Sequence, residues 1–221
     1  MSTAIEIEID KIQILIADDH PVVRAGLKQI LADNPDIVVG GEAVDAQEVI
    51  EKIREEEWDV VILDYAMPGG SGLETLKEIK RIKPDMPILM LSMYSEDQLA
   101  VRCLKAAASG YLAKESAPEE LVKAIRKVRS GGKYVSSSLA EKLATAVESE
   151  NKKPAHEILS DREYQVLCFI ASGKKIKDIA RELTLSERTE RTFRARLLEK
   201  MGLKNDVELT HYAIKNSLLK E

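Results

Sequence analysis

Short apolar runs that end in charged residues constrain the fold more than any other feature of this sequence. The clearest run is Trp58–Leu63, which is followed directly by Asp64 and then by the turn signal Met67 and Pro68. A short run of β-branched residues and Leu closed by a turn is typical of a strand buried on both faces, as in a parallel sheet. The pattern places Asp64 at the carboxyl end of a central strand, where open α/β sheets bind ligands.

Two further runs end in complementary charges. Ile12–Ala17 leads into Asp18 and Asp19, and Tyr111–Ala113 leads into Lys114. If the strands are parallel, three carboxylates and one ammonium group meet at one edge of the sheet. Ionised carboxylates about 4 Å apart repel each other by roughly 4 kcal/mol per pair at an effective dielectric constant near 20, so the cluster needs a bound cation. Ligands that are all oxygen favour Mg²⁺.

This group of residues suits the formation of an aspartyl phosphate. Mg²⁺ with open coordination positions would lie beside a lysine and an aspartate nucleophile. A single Asp at a strand end more often only caps the next turn, so the hypothesis depends on the convergence of all three runs. His20 follows the acidic pair, but neutral imidazole suits Zn²⁺ better than Mg²⁺, and we leave it out of the metal site.

Strand and helix patterns alternate along the first part of the chain. Five strands and five helices in about 130 residues predict a doubly wound parallel sheet with right-handed crossovers. We predict a first domain over residues 11–133 and a linker over residues 134–154. Leu139, Leu143 and Val147 trace a possible helix in that linker.

The charge distribution separates two domains. Residues 1–133 carry 17 Lys and Arg against 24 Asp and Glu, a net −7, whereas residues 155–221 carry 13 against 11, a net +2. The first ten residues are acidic, unlike a signal peptide, and there is no apolar run of membrane-spanning length. We therefore expect a cytoplasmic protein without membrane association.

The last part of the chain, residues 155–221, has only helical periodicity and predicts four helices. Capping boxes and caps mark the helix starts, as at Ser160 with Glu163 and at Ser186. The third helix carries Arg188 and Arg191 near its start and further basic residues along its length. Two short helices joined by a tight connection, the second rich in Arg, predict a helix-turn-helix whose second helix enters a DNA major groove.

With these residues in place, the chain resembles a two-component response regulator of the NarL/FixJ type. Such a protein joins a flavodoxin-like receiver domain to a LuxR-type helix-turn-helix. The receiver signature consists of Asp18, Asp19, Asp64, Met67, Pro68, Gly72, Ser92, Gly110, Tyr111 and Lys114. The DNA-binding signature consists of 159–163, Ile179, Ala180, Ser186, Thr189 and 200–202. The resemblance covers nearly everything after the first ten residues.

The resemblance implies a role for each matching residue of the receiver. These roles are phosphoacceptor for Asp64, Mg²⁺ ligands for Asp18, Asp19, Asp64 and the backbone carbonyl of Ala66, phosphoryl contact for Lys114, and conformational switch for Ser92 and Tyr111. It also implies a sensor histidine kinase and double-stranded DNA as partners, and a homodimer when phosphorylated. A receiver of this kind phosphorylates itself from a donor but is not a turnover enzyme.

The DNA-binding half departs from the family at several positions. The residues expected at DNA are Lys174, Lys175, Ser186, Arg188, Thr189, Glu190, Arg191, Arg194 and Arg196. Glu190 stands where relatives have an aliphatic residue, and Phe193 where His is common. We expect Glu190 to lie among the groove-facing residues, where it would either read a base or repel phosphates.

Two other functions remain open from the sequence. The first is a protein-interaction regulator, controlled by phosphorylation, whose helix-turn-helix no longer reads DNA. The second is a hydrolase with an Asp nucleophile, of the haloacid dehalogenase type. That class needs a second acid two residues after the nucleophile, and this chain has Ala66 there. We therefore favour the transcription regulator.

Overall fold

The computed structural model describes residues 11–68, 70–93, 98–116, 118–136, 139–141, 155–183, 185–216 and 218. The first ten residues and the predicted linker helix around Leu143 and Val147 lie outside the described residues. In the part of the chain that is described, no helix is both long and apolar enough to span a bilayer.

A five-stranded parallel sheet forms the centre of the first domain. Its strands are β1 (Ile12–Ala17), β2 (Ile37–Ala43), β3 (Val60–Asp64), β6 (Ile88–Ser92) and β7 (Gly110–Ala113), and they lie in the order β2-β1-β3-β6-β7. Every residue of β3 and β6 is buried, as expected of central strands covered on both faces. The predicted fold is confirmed. A small antiparallel pair, β4 (Ala66–Met67) and β5 (Gly70–Ser71), was not predicted, because two-residue strands have no periodicity.

Helices cover both faces of the sheet. They are α1 (Pro21–Ala32), α2 (Ala46–Glu55), α3 (Gly72–Ile82), α4 (Gln98–Lys105) and α5 (Pro118–Arg129). The predicted capping box of α3 is present, with Ser71 accepting from the backbone of Glu74 and Glu74 accepting in return. The helices enclose one apolar core on each side of the sheet. The loops that follow β1, β3 and β7 lie together at the carboxyl edge of the sheet.

Beyond α5, the chain returns to the edge of the sheet. Tyr134 forms a bridge with Gly110 of β7, and its carbonyl accepts from the backbone of Tyr111 at 3.2 Å. A Cβ atom on Gly110 would lie 2.9 Å from the Tyr134 carbonyl oxygen, so this approach requires glycine. Tyr134 thus packs with the first domain. The domain boundaries at residues 133 and 155 stay predictions.

The second domain is helical, as predicted. A 3-10 turn (Ala155–Ile158) precedes α6 (Asp161–Ala171), α7 (Ile176–Glu182), α8 (Glu187–Met201) and α9 (Asp206–Lys215). Ser160 and Glu163 form the predicted capping box of α6, and Ser186 caps α8 by accepting from the backbone of Thr189. Gly202 ends α8 in the left-handed conformation, with φ of 66°, which favours glycine.

Helix α6 of the second domain is buried on all sides, because it packs both against its own domain and against the first domain. Every residue from Arg162 to Ala171 is buried. A continuous apolar cluster joins Cys103 and Tyr111 of the first domain to Tyr164 and Cys168 of α6. A helix buried all round is normally apolar all round, whereas α6 begins with polar residues. The sequence therefore did not predict this contact between the domains.

Candidate functional site

Three carboxylates converge at the carboxyl edge of the sheet. Asp18 and Asp19 follow β1, and Asp64 ends β3. Strands β1 and β3 are neighbours in parallel register, with Ala17 beside Leu63, so the residues that follow meet at the same edge. Ligand atoms of the three acids and of His20 all lie within 4.8 Å of one another. The predicted acidic cluster therefore exists.

Lys114 closes this cluster from β7. Its Nζ lies 2.6 Å from Asp18 Oδ2 and 2.9 Å from Asp64 Oδ2. The side chain is 8 % exposed, and both carboxylates it contacts are buried. The backbone N–H of Lys114 donates to the carbonyl of Ser92 at 2.8 Å, which fixes the start of this loop against β6.

The cluster holds more negative charge than Lys114 neutralises. Burial raises the pKa of Asp64 to about 6; the Lys114 ammonium group opposes this rise and the Asp18 carboxylate adds to it. Burial alone would lower the pKa of Lys114, but Asp64 and Asp18 outweigh it and the pKa is raised. Buried carboxylate oxygens in excess over one ammonium group fit a hard divalent cation. His20 Nδ1 lies 2.7 Å from Asp19 Oδ1, at the exposed rim of the site.

The loop after Asp64 is held against the start of α3. A Cβ atom on Gly72 would lie 2.2 Å from the Asp64 carbonyl oxygen, so this approach requires glycine. The Gly72 N–H donates to the Tyr65 carbonyl at 2.8 Å. The backbone N–H of Ala66 donates to the Asp64 carboxylate. The backbone after Asp64 is therefore held in place by α3, and the Asp64 carboxylate by the N–H of Ala66.

The two residues predicted as a switch are both buried. Ser92 ends β6 beside Ala113 of β7, next to the start of the Lys114 loop. Tyr111 lies within β7 and belongs to the apolar cluster shared with α4 and α6. Ser92 therefore lies at the edge of the acidic site, whereas Tyr111 lies towards the second domain.

In the second domain, most of the basic residues predicted on α8 lie on one exposed face. Arg188, Arg191, Thr192 and Ala195 line a shallow concavity on this helix. Arg196 is also exposed, as are Lys174 and Lys175 before α7. The exposed residues 188, 191, 192 and 195 follow helical spacing and form a face suited to a groove.

Two family models match the chain over most of its length. Residues 14–126 match the response regulator receiver domain, and residues 157–213 match the bacterial regulatory proteins of the luxR family. The chain is a NarL/FixJ-type response regulator.

Two similar response regulators match most of the chain. The response regulator UvrY of Escherichia coli K12 is 40 % identical over 208 residues, which cover 94 % of this chain and 95 % of UvrY. The response regulator GacA of Pseudomonas aeruginosa is 35 % identical over 209 residues, which cover 94 % of this chain and 98 % of GacA.

A solved structure with the same architecture includes DNA. RcsB of Salmonella enterica serovar Typhimurium, bound to promoter rprA with the phosphomimetic BeF₃⁻, is similar with a TM-score of 0.63. It is 29 % identical, and the match covers 91 % of this chain and 98 % of RcsB. The comparisons support the transcription regulator over the protein-interaction alternative.

Two of the predicted DNA contacts in this response regulator need correction. Glu190 is completely buried, so it does not lie among the groove-facing residues. It shares the inward side of α8 with Leu197, one helical repeat of seven residues later. Arg194 is half-buried and donates to Asp206 Oδ1 at 2.7 Å, which ties α8 to the start of α9. Both residues face their own domain.

The sequence prediction missed one residue that helical spacing could have found. Ala195 completes the exposed face of α8 that begins with Arg188. It lies seven positions after Arg188 and therefore on the same face of the helix. Arg102 and Gln165, which each form hydrogen bonds with the other domain, carry no such local signal.

Proposed function

We propose that this response regulator accepts a phosphoryl group on Asp64 from a sensor histidine kinase and thereby controls transcription. The observation that carries the proposal is the buried Asp64 carboxylate, which lies 2.9 Å from Lys114 within a group of three acids. A carboxylate oxygen of Asp64 attacks phosphorus, and the bond from phosphorus to the donor breaks with its electron pair leaving on the donor. This attack needs the ionised form, which predominates above the Asp64 pKa of about 6.

The site residues prepare this transfer in distinct ways. Asp18, Asp19, Asp64 and the carbonyl of Ala66 would hold Mg²⁺, which neutralises charge on the phosphoryl oxygens when it is bound. Lys114, whose ammonium group contacts the carboxylates of Asp18 and Asp64, can donate to the phosphoryl oxygens. The Gly72 contact keeps the Asp64 backbone in place during the attack. The protein acts once per phosphoryl group and is not a turnover enzyme.

We infer that Ser92 and Tyr111 respond to the new phosphoryl group. Phosphorylation adds negative charge and acceptor oxygens at the sheet edge, which a hydroxyl and an ammonium group can contact. Ser92 lies at that edge, and its backbone is tied to Lys114. Tyr111 lies in the neighbouring strand, towards the second domain. The two residues therefore connect the site with the side of the receiver that faces α6.

The exposed face of α8 is the proposed surface for double-stranded DNA, with Arg188 and Arg191 at its centre. One short recognition helix reads only a half-site, so two copies of the chain are needed for useful specificity. Val207 and Ile214 are exposed hydrophobic residues seven positions apart on α9. Residues seven apart share one face of a helix, and this apolar face supports a homodimer. The kinase, the DNA and the dimer together favour a cytoplasmic protein.

The decisive experiment is phosphorylation by acetyl phosphate, followed by intact mass. Wild type should gain one phosphoryl group only with Mg²⁺ present, and Asp64→Asn should gain none. Asp85→Asn is the matched control, since Asp85 is exposed and distant from the acidic cluster. Equal labelling of Asp64→Asn and wild type would show that another residue is the phosphoacceptor.

A further inference from the structure

A chain of hydrogen bonds leads from the residue after the phosphoacceptor into the helix-turn-helix. The carbonyl of Tyr65 accepts from Gln165 Nε2 at 3.4 Å, across a sequence separation of 100 residues. Gln165 Oε1 accepts from Arg162 at 2.7 Å. Arg162 also donates to the carbonyl of Leu183 at 3.4 Å. Leu183 is the C-cap residue of α7, the helix that precedes α8.

The members of this chain are buried, so their hydrogen bonds are not easily replaced by water. Gln165 is 1 % exposed and Arg162 is 9 % exposed. Leaving a buried polar group without its hydrogen-bond partner costs free energy. The positions of the Tyr65 and Leu183 carbonyls, at the two ends of this series of hydrogen bonds, are therefore coupled. A shift of the Tyr65 carbonyl therefore acts directly on the side chain of Gln165.

The side chain of Tyr65 lies at the same contact between the domains. Its pKa is raised well above the usual value by burial, with smaller contributions from Cys103 of α4 and from Asp161 and Cys168 of α6. The phenol therefore lies between α4 and α6. Its hydroxyl is buried and has no hydrogen-bond partner among the residues that the structure describes. Such a group destabilises the docked arrangement that buries it.

Arg102 of α4 holds the two domains together. Its guanidinium donates to the carbonyls of His156 and Leu159 and to Asp161, at 2.6 to 3.2 Å. The same group lies 4.2 Å from the ring centroid of Tyr164. Lys77 of α3 adds a second contact, 2.8 Å from Asp161. The start of α6 is therefore clamped from α3 and α4, while Arg188 and Arg191 of α8 remain exposed.

We propose that the chain Tyr65–Gln165–Arg162–Leu183 is a relay that couples the state of Asp64 to the docking of the DNA-binding domain, with Arg102 as the latch of the docked state. Phosphorylation shifts the Tyr65 carbonyl, weakens the bond to Gln165 and favours release. The DNA-binding domain in its docked position leaves the α8 face exposed. Docking therefore controls where the recognition helix lies and does not block its DNA-binding face. The inference rests on the proposed phosphorylation of Asp64.

Linkage gives the relay a test that needs no DNA. If binding of a phosphoryl mimic favours release, a change that weakens docking raises the population of the released state and must tighten binding of the mimic. Arg102→Ala and Gln165→Leu remove docking contacts and should tighten beryllofluoride binding by about fivefold or more. Tyr65→Phe removes the unsatisfied hydroxyl, strengthens docking and should weaken binding. Calorimetric titration of the full chain with beryllofluoride and Mg²⁺ measures these changes.

Matched controls keep the test specific to the contact between the domains. Arg81→Ala removes an exposed arginine that pairs only with Glu78 among the described residues, and Asp85→Asn removes an exposed carboxylate just before β6. Both should bind beryllofluoride like wild type. Small-angle scattering should show a larger radius of gyration for Arg102→Ala without the mimic. Lys77→Ala, at a more exposed contact, tests the latch again if Arg102→Ala unfolds.

The outcomes separate this inference from the proposed function. Opposite shifts for Arg102→Ala and Tyr65→Phe, with unchanged controls, support the relay. Equal affinities of all variants within twofold would overturn it and leave phosphorylation of Asp64 intact. If wild type itself fails to bind beryllofluoride with Mg²⁺, the proposed function is wrong.

Discussion

At the level of single residues, the buried Asp64 carboxylate makes stability depend on pH. Its pKa is raised from 3.8 to about 6 in the folded protein, so the folded state binds the proton more tightly than the unfolded state. The cost of ionising Asp64 therefore grows as the pH rises from about 4 to 6 and is fully present above 6. Without metal at pH 8, Asp64→Asn should raise the free energy of unfolding by on the order of 1–3 kcal/mol.

Urea unfolding in the presence of a metal chelator measures the difference in the free energy of unfolding between wild type and Asp64→Asn. The gain should shrink towards zero near pH 4, where the wild-type carboxyl is already protonated when folded. Asp85→Asn, at an exposed position, should change stability little at either pH. A gain for Asp64→Asn that is equally large at pH 4 and pH 8 would contradict the role of ionisation.

A second prediction for a single residue concerns Glu190, which is buried at a position where an aliphatic residue is common among relatives. A buried carboxylate loses its hydration, and a Val in its place does not. Glu190→Val should therefore raise the free energy of unfolding by about 1 kcal/mol, measured by urea unfolding. Because Glu190 faces its own domain, base preference should stay the same in competition titrations.

The exposed Glu199 of the same helix provides the control for Glu190. Glu199→Val should leave stability within about 0.5 kcal/mol of wild type, as is usual for surface changes. A loss of stability in Glu190→Val would mean that the buried carboxylate stabilises its own domain. Altered base preference without loss of affinity would mean that Glu190 has the DNA contact first expected from the sequence.

At the level of elements, helix α8 divides its arginines between two tasks. Arg188 and Arg191 line its exposed face, whereas Arg194 pairs with Asp206 of α9. Arg188→Ala and Arg191→Ala should each weaken DNA binding and lower the slope of log affinity against log salt by about 1 if they contact phosphates. Arg194→Ala should act mainly by loosening α9.

Titrations at several salt concentrations, together with thermal melts, separate these tasks. Arg81→Ala in the receiver should change neither the salt slope nor the affinity. If the salt slope is unchanged in both Arg188→Ala and Arg191→Ala, these residues do not contact phosphates. If Arg194→Ala lowers the salt slope and leaves the melting temperature unchanged, Arg194 contacts DNA and does not stabilise α9.

At the level of the whole molecule, the proposed dimer predicts that phosphorylation acts most on paired sites. Two recognition helices of a symmetric dimer contact half-sites about one helical turn of DNA apart. Beryllofluoride should therefore increase affinity for a selected two-half-site duplex more than for the same duplex with one half scrambled. The mass from light scattering should rise towards that of a dimer.

The chain with Asp64→Asn is the control, and it should respond to beryllofluoride neither in affinity nor in mass. Equal gains of wild type on both duplexes would indicate that phosphorylation changes each DNA-binding domain by itself. In that case, the apolar face of Val207 and Ile214 would not form the dimer.

The sequence by itself determined the elements, the sheet and the acidic cluster. Strand runs, capping boxes and helix-ending glycines are local patterns, and the energies behind them depend on residues a few positions apart. Parallel strands then bring the residues after β1 and β3 to the same edge, so Asp18, Asp19 and Asp64 meet by topology alone.

Only the tertiary structure decided which polar residues are buried, and against what. Glu190, Arg162 and Gln165 resemble surface residues in the sequence, yet all three are buried. Arg162 and Gln165 are buried because α6 lies at the contact between the domains, where Gln165 contacts Tyr65 across 100 residues. Glu190 is buried within its own domain, on the inward side of α8. A contact of this kind follows from the packing of whole elements and leaves no periodic trace in the chain. For that reason, the acidic site could be predicted from local patterns, whereas its connection to the DNA-binding domain could not.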